Sequence, residues 1–190
     1  VFPLLHWQWS FTVEDKLKTS QIGAALAEKA GCDAVDATEA FKRLVRSGVI
    51  PPEAETWGRG GKTWLFPRST PAIAAVILWL FQNAGIRDRS DLRGIWNFFA
   101  LPHHDGGEPA ITHIMAEIAA GRTAWLICTH WGDRQTGQSL FGVALRFEEE
   151  RDRPLEPPAP GFEPVADLVL DLGHLLSRFV FEPPAKSQVN

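Results

Sequence analysis

The 190-residue sequence has no Tyr, one Met and only two Cys. The cysteines, Cys32 and Cys128, lie far apart and in unlike contexts. That excludes a disulfide framework or a CxxC pair and predicts a reducing, cytoplasmic setting. No run of about eighteen apolar residues is present, so no membrane-spanning helix is expected. The longest apolar stretch, residues 71–81, fits a buried helix better. No secretory leader is read at the N-terminus. Neither HExxH nor GxSxG occurs, and no Ser or Cys stands in a nucleophile motif, so no catalytic residue is assigned and an enzyme is not expected.

An excess of positive charge is also missing: 19 Lys+Arg face 23 Asp+Glu, a net −4. Taken alone, that disfavours a nucleic-acid partner. The charge is uneven, however. Residues 1–94 hold 12 basic and 10 acidic side chains, and residues 95–190 hold 7 and 13. A mildly basic front and an acidic back predict two jobs in one chain. Aromatics are plentiful, with eight Trp and twelve Phe. That much ring surface must be buried in a core or offered to a partner.

Along the chain, Leu5, Trp7, Trp9 and Phe11 alternate with polar residues and predict a half-buried strand. Thr19 or Ser20 can cap a helix whose stripe is Ile22, Ala25, Leu26 and Ala30, stopped by Gly31. Asp36 can cap a second helix, with Glu39 completing a capping box and Ala37, Ala40, Phe41, Leu44 and Val45 as its apolar face. Gly48 ends it. Residues 56–66, with glycines at the tip, predict a hairpin. Helices are expected over 70–84, 90–100 and 110–120. Strands are expected over 122–131, 138–147 and 165–170, and a short helix over 172–179 capped by Asp171. Residues 148–164 are acidic, hold five prolines and read as a loop. The tail from Glu182 reads as frayed.

Residues 19–66 thus run helix, short turn, helix, the exit Arg46-Ser47-Gly48-Val49-Ile50, then a hairpin. This order resembles a winged helix-turn-helix domain of the MerR and MarR type. The resemblance implies a recognition helix at about 36–47 and a wing at about 56–66. The fold class expected is α+β, with a winged helix-turn-helix domain in residues 1–100 and an α+β dimerisation or effector module in residues 101–190. The function it implies is a sequence-specific, DNA-binding transcription regulator acting on double-stranded DNA as a homodimer. The apolar helix after the wing is a candidate dimer contact.

The residue chemistry agrees with that expectation. Lys42, Arg43 and Arg46 fall on the polar side of the second helix, where they can reach phosphates or guanine edges in a major groove. Arg59 and Lys62 flank the hairpin tip. From Lys42 to Arg68 the chain has six basic and two acidic residues. Such a patch acts locally, because salt screens distant charge. Asp33, Asp36 and Glu39 oppose phosphates and fit capping roles or a cytosine amino group. The alternative expectation is a winged helix that docks a protein in a larger assembly.

Other signals are weaker. Gly61-Lys62-Thr63 invites a phosphate-loop reading, but Thr56 stands where that motif needs Gly. His103, His104, Asp105, His113, Cys128 and His130 are metal-ligand types without metal spacing, so no metal or cofactor is assigned. Trp57 and Trp64 flank the hairpin tip and are expected as a cross-strand pair. Trp131 is a candidate for a pocket or an interface.

Overall fold

The computed structural model describes residues 16–58, 61–102, 107–151, 153 and 155–179. The expected strand at 5–11, the tail from Glu182, His103, His104, Asp105 and Arg59 lie outside them.

The chain is an α+β fold whose described residues form six α-helices and two three-stranded antiparallel sheets. A short strand β1 (Leu17–Lys18) leads into α1 (Thr19–Ala30) and α2 (Ala34–Arg46). The hairpin β2 (Ala54–Gly58) and β3 (Gly61–Phe66) follows. The order in this sheet is β1-β3-β2, so β3 is central. β1 is an element the alternation pattern did not mark, because two residues carry no period.

The cap of α1 differs from the expected Thr19 or Ser20. Lys18 holds that position, and its backbone N–H donates to Gln21 Oε1 at 2.7 Å. The expected cap of α2, Asp36, is also corrected. Asp33 caps it, with Oδ1 accepting from Val35 N at 2.7 Å and Asp36 N at 3.4 Å. The helix therefore starts three residues earlier, and Asp36 sits in its first turn, where its charge favours the helix dipole. Glu39 is not part of a capping box. Its carboxylate turns along the helix to Lys42.

α1 and α2 approach closely at Gly23. A Cβ there would lie 1.9 Å from Thr38 Oγ1 and 2.8 Å from Thr38 Cα. Gly31, at φ +68°, ends α1 in the left-handed region that favours glycine. The core between this helix pair and the sheet joins Ile22, Leu26, Phe41 and Phe66. The Phe41 and Phe66 rings meet edge to face, 5.1 Å between centroids. Such a pair adds roughly 0.5–1.5 kcal/mol beyond its burial.

α3 (Thr70–Asn83) buries Ala72, Ile73, Ala74, Val76, Ile77 and Leu80 within the chain itself. Its apolar surface is thus spent largely on the internal core, with Phe81 left exposed. α4 (Arg89–Ala100), capped by Asp88, and α5 (Ala110–Ala119) follow. The second sheet has β4 (Ala124–Asp133) at its centre, between β5 (Ser139–Phe147) and β6 (Phe162–Asp171). β6 begins three residues before the sequence suggests, inside the acidic proline-rich stretch. α6 (Leu172–Leu176) is capped by Asp171, which accepts from His174 N at 2.9 Å.

One buried cluster runs from Ile22 to Phe179 and takes in residues of all six helices and of β4. Two arginine contacts also tie distant parts together. Arg93 Nη1 donates to Gly48 O at 2.8 Å, and Arg178 Nη1 donates to Lys29 O at 3.1 Å.

Candidate nucleic-acid interface

The amphipathic pattern of α2 decides which side chains are available. Ala37, Phe41, Leu44 and Val45 are buried, as the apolar stripe predicts. Lys42 is half-buried, and Arg43 and Arg46 are exposed. The helix stops because Gly48 takes φ +77°, and the N–H groups of Val49 and Ile50 both donate to Leu44 O, at 3.0 and 3.2 Å. Val49 and Ile50 then enter the core. The Ser-Gly-Val-Ile exit is therefore a helix stop followed by an anchor.

The charges on this face are largely paired. Glu39 lies 2.6 Å from Lys42 Nζ and 4.0 Å from Arg46 Nη1. The hydrogen bond from Lys42 holds the Glu39 carboxyl below its ordinary pKa, and the Lys42, Arg46 and Arg43 charges add to that effect. The Arg43 carbonyl accepts from Ser47 N at 2.9 Å, but its guanidinium makes no ion pair or hydrogen bond among the described residues. Lys62 lies 2.7 Å from Glu55 on the neighbouring strand. Its ammonium also stands 5.9 Å from the Trp64 ring centroid. A net count of charge along the sequence does not reveal these pairings.

The hairpin register corrects the expected tryptophan pair. Trp57 stands opposite Lys62, and Trp64 stands opposite Glu55. The two indoles are diagonal neighbours on one strand face. Side chains alternate along β3, so Lys62, Trp64 and Phe66 share that face. Phe66 meets Phe41 of α2, and the face therefore turns toward α2. Trp64 packs partly on the core, whereas Trp57 is 78% exposed. Of the five residues expected to contact DNA, Lys42, Arg43 and Arg46 share α2, Lys62 stands on β3, and Arg59 lies outside the described residues.

A second cluster joins α4 to β4. Cys128 and His130 lie on one face of β4, and His130 Nε2 is 4.0 Å from Asp91 Oδ2. Burial raises the Asp91 pKa, and the nearby Asp88 charge raises it further. Burial pushes the Cys128 thiol up to about 12, with the Asp91 charge adding to it. Such a thiol stays protonated at neutral pH and is a poor nucleophile. Asp91 carries no sequence signal for this role, because only tertiary packing brings α4 to β4. Among the described residues no group of three His, Cys, Asp or Glu is placed to hold a metal ion.

Trp131 is buried beside β5 and lines a hollow of about 270 Å³ with Leu140, Phe141, Gly142, Val143 and Leu155. No helix of the described residues is long and apolar enough to cross a membrane. Compared with known proteins, the chain matches no family model, no curated protein and no solved structure.

Proposed function

We propose that the chain is a sequence-specific, DNA-binding transcription regulator of the cytoplasm, acting as a homodimer, with a winged helix-turn-helix in residues 16–66. The observation that carries this reading is the arrangement of α2 and the hairpin. α2 seats its apolar stripe on the core and turns Arg43 and Arg46 outward. The hairpin follows it in a sheet of order β1-β3-β2. Its Trp57, Lys62 and Trp64 share the face that turns toward α2. A helix with an exposed basic side fits a major groove, and a hairpin beside it reaches the neighbouring backbone or minor groove.

In this reading Arg43 is the cation ready for a phosphate or a guanine edge. Lys42 and Arg46 exchange Glu39 for phosphate as the duplex arrives, and Glu39 is then placed to accept from a cytosine amino group. Lys62 makes the corresponding exchange from Glu55. Arg59 adds a cation at the wing tip. Residues 101–190 supply dimer or effector contacts.

The test is retention of genomic fragments by the full chain across a salt series. Removing one phosphate contact lowers the slope of log affinity against log salt by about 0.9. Arg43→Ala and Arg46→Ala are expected to weaken binding and flatten that slope, and Arg59→Ala to do the same. Unchanged affinity and slope in all three would overturn the assignment.

One observation favours a second reading, a protein-docking winged helix. The Glu39–Lys42 and Glu55–Lys62 pairs leave the face less cationic than its composition suggests. That reading predicts no DNA retention at low salt and co-purification of a stable partner.

A further inference from the structure

The hairpin's most conspicuous surface feature is apolar. Glu55 and Lys62 pair at 2.7 Å, so these two charges cancel each other. Beside them Trp57 keeps 78% of its surface exposed, the highest value among the large exposed apolar side chains of the described residues. Leaving an indole in water forfeits the burial that such a side chain normally gains. Its position is also fixed. Trp57 sits in the β2–β3 ladder opposite Lys62, one residue from the strand end, so the backbone beneath it is held by strand pairing. On the same strand face Phe66 meets Phe41 on the buried side of α2, whereas Arg43 and Arg46 are exposed on that helix's other side.

We infer that Trp57 is a DNA-contacting residue of the wing, acting as an aromatic wedge that stacks against a base step of the duplex from the minor groove. This inference rests on the DNA-binding reading above and adds the chemistry of the wing's contact. The arrangement divides the labour. α2 supplies cations, whose contribution falls with salt. Trp57 supplies stacking and apolar burial, which salt does not screen. Large side chains inserted at a step unstack and kink it. The steps that open most readily are pyrimidine–purine steps such as TA and CA. The wedge therefore gives the regulator a preference for deformable steps at the position under the wing. Trp64, diagonal to Trp57 and partly buried, backs the strand face from which the wedge projects.

The experiment uses the full chain with Trp57→Ala and Trp57→Phe, titrated with sonicated genomic duplex DNA at several salt concentrations. It is repeated with duplexes rich in TA steps and with A-tract duplexes. Circular dichroism and thermal melting of each variant confirm the fold, which an exposed side chain should not disturb. Trp57→Ala is expected to weaken binding roughly tenfold at every salt concentration, with the salt slope unchanged. The preference for TA-rich over A-tract duplexes is expected to shrink in Trp57→Ala. DNA is expected to quench wild-type Trp emission, and Trp57→Phe to lose most of that quench. If the wild type binds with a steep salt slope while Trp57→Ala binds equally well and Trp57→Phe keeps the quench, the wedge is wrong and DNA binding stands. If the wild type retains no duplex at low salt, the wedge and the DNA-binding reading fall together.

Discussion

Two helical glycines give a sharp test of the α1–α2 packing, because the same substitution should have opposite signs at the two sites. In a helix interior Gly→Ala stabilises by roughly 0.5–1 kcal/mol, since Ala loses less backbone freedom on folding. Gly94, inside α4, is exposed and has nothing within 4 Å of where a Cβ would stand. Gly94→Ala should therefore show the full gain and raise Tm by about 1–4 °C for a chain of this size. Gly23 in α1 faces Thr38 of α2. The added Cβ would lie 1.9 Å from Thr38 Oγ1 and 2.8 Å from Thr38 Cα and Cβ. Turning the Thr38 side chain relieves only the first contact, and it breaks the bond that Thr38 Oγ1 donates to Ala34 O at 2.7 Å. The contact with Cα remains, so the helices must separate. Forcing extra volume into a packed interface costs about 1–3 kcal/mol. Set against the propensity gain, Gly23→Ala should lose about 1–2 kcal/mol and lower Tm by about 2–8 °C. Urea unfolding followed by helical ellipticity and by Trp emission reads both variants. Adding Thr38→Gly to Gly23→Ala should recover part of the loss, because Cβ and Oγ1 are gone but Cα is not. Equal stabilisation by Gly23→Ala and Gly94→Ala would refute the close approach of α1 and α2.

Three further outcomes are expected. The folded-state pKa of Asp91 is raised, so through that window the native chain binds more protons than the unfolded one. Stability should thus rise as pH falls toward 3.8, the ordinary value for this carboxyl, and Asp91→Asn should flatten that slope and stabilise the neutral protein in urea melts. A thiol reagent should label one cysteine quickly, the exposed Cys32, and reach the buried Cys128 only in denaturant; two fast thiols would contradict the burial of β4. Glu39→Gln should spare Lys42 and Arg46 the exchange of Glu39 for phosphate, so DNA retention tightens at every salt concentration while the salt slope, set by the same phosphate contacts, stays unchanged.

Much of the local structure is readable in the sequence because it is set by local physics. Period and capping place α1, α2 and α3 within a few residues. The glycine-tipped hairpin and the Asp171-capped helix follow from turn and cap chemistry. Boundaries shift where two residue types compete for one role. Asp33 takes the cap of α2 from Asp36 because two backbone N–H groups lie within its reach. The candidate interface was legible only in outline. Composition marks Lys42, Arg43, Arg46 and Lys62 as cations. It does not show that Glu39 and Glu55 hold three of them, since that depends on helix spacing and cross-strand register. Trp57 and Trp64 look alike in sequence, and only the register, which sets Trp57 near the strand end, separates the exposed indole from the partly buried one. The Asp91–His130 contact had no signal at all, because it depends on how α4 meets the second sheet.

The two long-range arginine bonds carry a consequence for anyone transplanting this protein's parts. Arg93 grips the carbonyl of Gly48 just past the end of α2, and Arg178 grips that of Lys29 in the last turn of α1. Both guanidinium groups arrive from beyond the hairpin. A fragment cut after residue 68 would keep its helices and hairpin but lose both clamps and α3 beneath them. Within the whole chain α4 touches both parts. Its Arg93 holds the exit of α2, while its Asp91 stands against His130 of β4. Arg93→Ala would therefore remove a contact to the exit of α2 that a fragment ending before α4 also lacks.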